Sequence, residues 1–334
     1  MDKPVTLKDI ASSLNVSVTT ISKALNNHPD ISKERRKEIL ELVEKLNYVP
    51  NTMAKNLRSR KTKFISLIVS DNTNPYYARV IRGVEEVLSA CGYHTLIFNN
   101  NEEPENELLL IKELRSINVA GVIITPALGN SESVKLLKKF KIPFVLAHRY
   151  IDKRKDNYVI VDDVEAGYLA TKYLLENRHK KVLFINGNQK VSSARDRYIG
   201  YLKAMKEKHI EFNENYVYDN GIKQEDGYKI TQEIVKTQST PFSLLCFSDY
   251  VATGAMKALN EFKIDMPGQV ALMGIDDIDM FSYMHPGLST VHIPKRDLGV
   301  KSAELLLNMI DDESVSLSER QIILSPRLVI RDSA

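Results

Sequence analysis

The sequence predicts a mixed α/β protein: a small helical N-terminal domain, a short connecting helix, and a larger two-lobed body with parallel sheets. The first 47 residues have helical periodicity and no strand pattern. From Phe64 onward, short β-rich apolar runs alternate with amphipathic helical runs, which is typical of parallel strands covered by helices on both faces. These runs form two series, which indicates two similar lobes with a ligand crevice at the carboxyl ends of their strands.

The charge of the chain is unevenly distributed. The 334 residues carry a formal net charge of +3, yet residues 1–63 contain 13 Lys and Arg against 7 Asp and Glu. The N-terminal part therefore carries +6 and the remainder −3. A basic domain on a mildly acidic body indicates a polyanionic partner, although a solvated basic face gives the same pattern.

Several classes of protein are disfavoured by what the sequence lacks. No apolar run approaches the roughly 20 residues that cross a bilayer, and the N-terminus has no signal-like apolar segment, so we expect a cytoplasmic protein with no membrane partner. The sequence contains no glycine-rich phosphate-binding motif and no G-x-S-x-G motif of a serine hydrolase. Its seven histidines are not spaced as metal ligands. We therefore expect no catalytic residues, no metal and no cofactor. Cys91 and Cys246 lie in apolar runs and are expected to be buried, reduced thiols.

Three short helices are predicted before residue 50. The segment from Thr6 to Asp9 is a capping-box start for the first helix, and Ser17 and Ser32 cap the second and third. Asn15 can end the first helix in a left-handed conformation, which makes the turn between the first two helices tight. This is the pattern of a helix-turn-helix, in which the second helix, the recognition helix, places its N-terminal residues on base edges in the major groove.

The predicted recognition helix, SVTTISKALN, has an unusually polar face. Val18 can contact a thymine methyl group, whereas Thr19 and Lys23 can reach base edges. Hydroxyls and backbone N–H groups at its start can bind phosphate. The alternative is a three-helix protein-binding module in which the Ser and Thr side chains serve only as caps.

These segments resemble the headpiece of the LacI/GalR family of bacterial transcription regulators. The chain contains V-T-x-x-D-I-A, then V-S-x-x-T-I-S-x-x-L-N, then Y-x-P-N-x-x-A-x-x-L, and the similarity continues nearly to Ala334 through NPYYARVIRGVEEVLSACGY, CFSDYVATGAMKAL, GIDDIDM and LSPRLVIRDS. The resemblance implies a helix-turn-helix headpiece over residues 1–50, a hinge helix and linker over 51–62, and a ligand-binding and dimerisation core over 63–334.

The resemblance also assigns DNA-binding roles to individual residues. The positions implied are Thr6, Ser17, Val18, Thr19, Thr20, Ser22, Lys23, Asn26, Asn51, Ala54 and Leu57. Val18, Thr19 and Lys23 match positions that set the operator sequence, and the polar residues around them match positions that hold the helix against phosphates. Many members have Arg where this chain has Lys23. Because an ammonium group cannot make the planar bidentate contact to guanine, the preferred half-site is expected to differ.

The hinge segment offers a first testable prediction. A helix of about eight residues is marginal in water, which suits a segment that orders only on DNA. The resemblance implies that two copies pack closely at Ala54 over the minor groove, and that Leu57 wedges into the central base step. Leu57→Ala should therefore lose operator affinity in a gel-shift titration while the circular dichroism of the free protein is unchanged. Unchanged operator affinity would contradict the wedge.

The body also resembles periplasmic sugar-binding proteins. That resemblance implies three crossovers between an N-terminal lobe of about 63–161 and 293–321 and a C-terminal lobe of about 162–292 and 322–334. The candidate ligand-binding residues, which lie at strand ends, are Asn74, Tyr76, Tyr77, His148, Arg195, Asp249 and Asp276. Family members commonly bind ligand at the positions of Arg195 and Asp276, and charge-assisted bonds from such a pair suit vicinal hydroxyls. Tyr77 can equally be core, and Asp249 can equally be a helix N-cap.

His148 departs from the pattern of members that bind neutral sugars, which often have Asp there. Together with Arg149 and Arg195 it could make the pocket cationic, which leaves room for a phosphorylated or acidic sugar. A lone histidine more commonly has a structural role. The sequence therefore leaves the identity of the ligand open.

The sequence thus predicts a homodimeric, sequence-specific DNA-binding regulator, most simply a repressor of genes for sugar or related carbohydrate metabolism. Its expected partners are a pseudo-palindromic operator, a second copy and a small-molecule effector such as a sugar or sugar phosphate. Whether the effector releases or promotes DNA binding is left open. The alternatives are a sugar-binding transport component without a DNA role and a corepressor-dependent regulator that responds to a non-sugar metabolite.

Overall fold

The computed structural model describes residues 5–46, 48, 62–312 and 316–334, which fall into two compact units that divide near residue 60. The expected hinge residues Asn51, Ala54 and Leu57 lie outside the described residues. Within the described ranges, no helix has the length and apolar character needed to cross a membrane. The same ranges contain no cluster of three or more His, Cys, Asp or Glu side chains suited to a metal ion.

The N-terminal unit consists of three helices, α1 (Leu7–Ser13), α2 (Val18–Leu25) and α3 (Lys33–Lys45). The predicted caps are confirmed: Thr6 forms a capping box with Asp9, and Ser17 and Ser32 each accept a bond from a backbone N–H of the first turn. Asn15 has a φ of 51°, as its place at the tight turn requires. The small core of this unit is formed by Ile10, Ala11, Ile21, Ala24 and Ile39.

The N-terminal lobe of the larger unit is built on a six-stranded parallel sheet. In chain order its strands are β1 (Phe64–Val69), β2 (His94–Asn99), β3 (Gly121–Ile124), β4 (Phe144–Ala147), β5 (Tyr158–Val161) and β11 (Gln321–Leu324). Their order across the sheet is β11-β5-β4-β3-β1-β2. The lobe's helices are α4 (Pro75–Ala90), α5 (Pro104–Ile117), α6 (Ser131–Phe140) and α11 (Lys295–Asp311).

The C-terminal lobe repeats this plan with a smaller parallel sheet. Its strands are β6 (Val182–Ile185), β7 (Val217–Tyr218), β8 (Phe242–Cys246) and β9 (Val270–Met273), in the order β7-β6-β8-β9. Its helices are α7 (Asp163–Asn177), α8 (Ser192–Glu207), α9 (Gln224–Thr237) and α10 (Asp249–Glu261). Every residue of β6, β8 and β9 is buried, as expected for strands with helices on both faces. The predicted α/β class with parallel sheets and two lobes is confirmed.

The end of the chain departs from the predicted lobe boundary. The sequence placed 322–334 with the C-terminal lobe, but β11 pairs in parallel with β5, with Ile322 opposite Val159. Residues 322–324 are therefore part of the N-terminal sheet. Beyond them, β12 (Arg327–Val329) pairs antiparallel with β10 (Thr290–His292), a short sheet that the sequence did not reveal.

The two cysteines lie in different environments. Cys246 is buried in β8 as expected, but Cys91 is exposed, and both are free thiols. Cys91 caps the C-terminal end of α4, just before the chain turns at Gly92 with a φ of 72°. The apolar run that contains Cys91 is the end of an amphipathic helix, so the expectation of burial is wrong there.

Candidate nucleic-acid interface and ligand cleft

Helix α2 presents its N-terminal end to solvent. Ser17, Val18 and Thr19 are exposed, and Val18 is 43% exposed although it is apolar. Ile21 and Ala24, which lie on the other face of the helix, are fully buried in the headpiece core. This arrangement leaves an apolar side chain and hydroxyls at a helix N-terminus, which suits thymine methyl groups and phosphates in a DNA groove.

The remaining polar residues predicted for DNA contact are ordered by local hydrogen bonds. Ser17 Oγ accepts a bond from the Thr20 backbone N–H at 3.0 Å and lies 2.8 Å from Thr20 Oγ1. Asn26 Nδ2 donates to the Ser22 carbonyl oxygen at 2.7 Å. Thr6 is exposed in the capping box that starts α1. These bonds fix hydroxyl and amide positions on α2 before any DNA is bound.

Lys23, predicted to reach base edges, is engaged within the headpiece. Its Nζ lies 2.7 Å from Asp30 Oδ2, in the loop that follows α2. The Lys23 side chain is nevertheless 41% exposed. The sequence pattern did not reveal this ion pair, because the two residues are seven positions apart and joined by an irregular turn.

A cleft of about 500 Å³ lies between the two lobes at the carboxyl ends of their strands. The predicted ligand-binding residues found in its lining are Asn74, Tyr76, Tyr77, His148 and Asp276. Arg195 and Asp249 do not line it. Arg149, which the sequence analysis considered together with His148, also lines it. Lining residues that were not selected are Ser70, Asp71, Asn101, Glu102, Glu103, Arg197, Ile222, Lys223, Phe247, Ser248 and Tyr250.

The arginine of α8 that lines the cleft is Arg197, not the predicted Arg195. Arg195 donates from Nη2 to Tyr150 Oη at 2.9 Å, and its side chain is 41% exposed. Arg197 is 1% exposed and lies three residues before Gly200, where an added Cβ would meet the Val164 carbonyl oxygen at 2.1 Å. Because residues three apart share a helix face, the R-x-x-G spacing identifies the buried arginine once the packing of Gly200 against α7 is known.

Asp249 has neither of the roles predicted for it. Its carboxylate accepts bonds from Thr290 Oγ1 at 2.6 Å and from the Ile278 backbone N–H at 2.8 Å, and the residue is 1% exposed. Ser248 is the N-cap of α10, with Oγ accepting from the Val251 N–H at 3.2 Å. Asp249 therefore orders the segments beneath the cleft. Burial raises the pKa of Asp249 to about 6.

His148 is a buried, uncharged side chain. It is 8% exposed, and its Nδ1 lies 2.8 Å from Tyr76 Oη. Burial, together with the charges of Arg149 and Arg197, holds the pKa of His148 well below its ordinary value. The idea that His148 adds positive charge to the pocket is therefore wrong. In this structure its ring is hydrogen-bonded to the Tyr76 hydroxyl.

Arg149 is neutralised by Glu102 on the N-terminal wall of the cleft. The guanidinium donates two bonds to the carboxylate, Nη1 to Oε2 at 2.8 Å and Nη2 to Oε1 at 2.7 Å, and Nη1 also donates to the Pro126 carbonyl oxygen at 3.1 Å. Burial alone would raise the pKa of Glu102, but the adjacent Arg149 charge holds it below its ordinary value. This bidentate pair is fixed in place and carries no net charge.

The C-terminal wall holds Arg197 beside Asp276. Arg197 donates from Nε to Asp163 Oδ1 at 2.7 Å and from Nη1 to the Phe247 carbonyl oxygen, and its guanidinium lies 4.7 Å from the centre of the Phe247 ring. In the described part of the chain its Nη2 has no hydrogen-bond partner and lies 3.7 Å from Asp276 Oδ1. Burial raises the pKa of Asp276 to about 8, in spite of the nearby Arg197 charge. This wall therefore presents a donor and a carboxyl group side by side.

Family models match both units of the chain. Residues 6–51 match bacterial regulatory proteins of the lacI family, and residues 62–328 match periplasmic binding proteins and the sugar-binding domain of the LacI family. The chain belongs to the LacI family. It is 33% identical over 334 residues to the HTH-type transcriptional repressor PurR of Pasteurella multocida (strain Pm70), and 98% of each chain is covered.

Solved structures agree with this assignment. The transcription regulator CcpA of Lactococcus lactis is 26% identical, with a TM-score of 0.76 over 82% of this LacI-family chain and 99% of the other. A LacI-family regulator of Enterococcus faecium with bound ribose is also 26% identical, with a TM-score of 0.70 over 81% and 98%. The lac repressor dimer bound to operator has the same fold, with a TM-score of 0.86 over 99% of both chains at 22% identity.

The predicted function is confirmed at the level of the family. The chain is a ligand-responsive, DNA-binding repressor of the LacI family. Among the described residues, the chemistry of the exposed end of α2 fits DNA binding, and that of the cleft between the lobes fits ligand binding.

Proposed function

We propose that this LacI-family repressor is controlled by a neutral, polyhydroxylated ligand, most simply a sugar, that binds in the cleft between its lobes. The observation that carries the proposal is the pairing of Arg197 and Asp276. Arg197 Nη2 has no hydrogen-bond partner in the described part of the chain and lies 3.7 Å from the Asp276 carboxyl group. Adjacent hydroxyls of a sugar can accept from the guanidinium and donate to the carboxyl group at once.

The charges that line the cleft favour a neutral ligand over a phosphorylated one. The lining residues with ionisable side chains, apart from tyrosines and His148, are Arg149, Arg197, Lys223, Asp71, Glu102, Glu103 and Asp276. Arg149 is paired with Glu102, and Arg197 is paired with Asp163. The carboxyl groups thus offset the cationic side chains. A phosphate group of charge about −1.5 to −2 would find no excess of positive charge there.

Aromatic side chains provide the apolar part of the proposed site. Tyr76 and Phe247 lie in the lining together with Tyr250, which follows β8. Ring faces of this kind can cover the C–H surface of a sugar while the polar groups bind its hydroxyls. The ribose bound to the related Enterococcus faecium regulator supports a ligand of this class.

We also infer that the protein acts as a homodimer in the cytoplasm, where operator DNA lies, and by binding rather than by catalysis. The support for this is its membership in a family of transcriptional regulators. The same membership supports a contribution of Asn51, Ala54 and Leu57 to operator binding.

Thermal-shift measurements on the full chain test the ligand class. The compounds are neutral pentoses, hexoses and disaccharides, their phosphate esters, and nucleobases. We expect a neutral sugar to raise the melting temperature, and Asp276→Ala to weaken its binding about tenfold, because a buried ligand hydroxyl left without its hydrogen-bond partner costs about 1–3 kcal/mol. Asp297→Ala, an exposed change on α11, is the matched control and should bind like wild type. Stabilisation by phosphate esters or nucleobases alone would contradict the proposal.

A further inference from the structure

Lys23 is held in the headpiece by a carboxylate from the loop that follows the recognition helix. Its Nζ lies 2.7 Å from Asp30 Oδ2, and the same oxygen lies 3.3 Å from His28 Nδ1. The hydrogen bond from Lys23 and the nearby charges of His28 and Lys23 lower the pKa of Asp30, so Asp30 is ionised at neutral pH. The Lys23 and Asp30 side chains are 41% and 54% exposed, so both are accessible to solvent.

The Lys23–Asp30 pair is expected to weaken contacts of Lys23 with phosphates more than its contacts with base edges. Binding to any DNA sequence depends on cations that neutralise phosphates, and each neutralised phosphate contributes about 0.9 to the slope of log affinity against log salt. An ammonium that is paired with a carboxylate adds little to this term. A phosphate that approached Lys23 would be repelled by the Asp30 carboxylate beside it, whereas the acceptors O6 and N7 of guanine carry no net charge and can bond to the ammonium without that repulsion. An exposed ion pair is weak enough to open when such an acceptor is available.

We propose that Asp30 is a specificity-determining residue of this repressor. Its carboxylate keeps the Lys23 ammonium from binding the phosphate backbone. Lys23 leaves the ion pair only for a hydrogen-bond acceptor on the edge of the matching base. Asp30 is thus a positioning residue that acts through Lys23 and lowers binding to unrelated DNA more than binding to operator. This inference goes beyond the proposed ligand control, because it does not depend on what binds in the cleft.

A double-mutant cycle on the full chain tests the proposal, with wild type, Asp30→Asn, Lys23→Met and the double variant. Two probes are used: a mixed-sequence duplex of about 30 base pairs, and the duplex that wild type selects most strongly from genomic fragments. Anisotropy titrations over a series of salt concentrations give affinities and salt slopes. We expect Asp30→Asn to bind the mixed duplex about two- to fivefold more tightly, with a slope steeper by about one. The ratio of operator to mixed-duplex affinity should fall.

The Lys23→Met background separates this mechanism from a general charge effect. There, Asp30→Asn should change the mixed-duplex affinity and slope much less, because no ammonium is released. Equal changes in both backgrounds would overturn the proposal, and so would weaker binding of the mixed duplex by Asp30→Asn. Glu41→Gln is the matched control, because Glu41 lies 3.9 Å from Lys37 on α3 and the change removes the same charge. A fall of the affinity ratio in that control as large as in Asp30→Asn would also contradict the proposal.

Discussion

Replacing Arg197 with methionine is expected to lower the free energy of unfolding by about 3–5 kcal/mol, because the change leaves a buried carboxylate without its partner. Arg197 and Asp163 have side chains that are 1% and 4% exposed, and they are joined by a bond of 2.7 Å. The same replacement at Arg195 is expected to cost less than about 1 kcal/mol, because its ion pair with Asp196 is made by a side chain that is 41% exposed. Two arginines of one helix turn should therefore differ severalfold in their effect on stability.

Urea unfolding of the full chain, followed by circular dichroism, measures this difference. Arg197→Lys is a useful second variant, since it keeps the charge but loses the fork that contacts Asp163 and the Phe247 carbonyl at the same time. We expect it to fall between wild type and Arg197→Met. Equal, small losses for Arg195→Met and Arg197→Met would show that the pair with Asp163 does not hold the cleft wall together.

A second large effect concerns the dependence of stability on pH. The pKa of Asp276 is raised to about 8 by burial, from 3.8 for an unperturbed side chain. The folded protein therefore keeps a proton that the unfolded chain has released, and this contribution is complete below about pH 4 and lost as the pH rises through about 8. One pKa unit corresponds to about 1.4 kcal/mol, so at least about 2 kcal/mol is expected to be lost across this range. Asp276→Asn should remove most of that loss.

Two other buried carboxyl groups titrate at lower pH than Asp276, so their effect on stability can be separated from its effect. Burial raises the pKa values of Asp163 and Asp249 to about 6, and both side chains remain in the variant. Stability of Asp276→Asn should therefore still fall up to about pH 6 and then level off, while that of wild type continues to fall towards pH 8. Urea midpoints at several pH values across this range measure the two curves. Parallel curves up to pH 8 would mean that Asp276 is ionised in the folded protein throughout.

The structure provides a physical connection between the proposed ligand site and the N-terminal lobe. Lys295, the first residue of α11, is 5% exposed, and its Nζ donates to the carbonyl oxygens of Asp276, Asp277 and Ile293. Asp276 itself has a φ of 134°, a conformation that L residues rarely adopt. A ligand that binds the Asp276 carboxyl group would contact a C-terminal-lobe segment whose backbone is hydrogen-bonded to Lys295, at the start of α11 in the N-terminal lobe. Contact of this kind can couple ligand binding to the orientation of the lobes.

The sequence was most informative where structure is determined by neighbouring residues. The caps at Thr6, Ser17 and Ser32 follow from hydrogen bonds within one helical turn, and Asn15 follows from the tight turn. Alternation of β-rich and helical runs was enough to predict two lobes and the edge at which the cleft lies. These features depend on local chemistry and periodicity, which a single sequence contains.

Contacts between distant segments were the part that could not be predicted. The choice between Arg195 and Arg197 depends on the rotation of α8, which is set where Gly167 meets the Arg197 carbonyl oxygen. The charge state of His148 depends on its burial beside two arginines, and the neutralisation of Arg149 depends on a glutamate 47 positions earlier. Each of these requires knowledge of packing across the lobe or the cleft.

A neutral ligand in the cleft is proposed to control operator binding, and anisotropy titration of operator with and without saturating sugar measures that control. Coupling of about 1–3 kcal/mol is typical, so operator affinity should change by at least about fivefold in one direction. Asp276→Ala should need about ten times more sugar than wild type for the same change in operator affinity, because its binding of sugar is weaker by that factor. A sugar that raises the melting temperature of wild type through the cleft but leaves its operator affinity unchanged would rule out control of operator binding by the cleft.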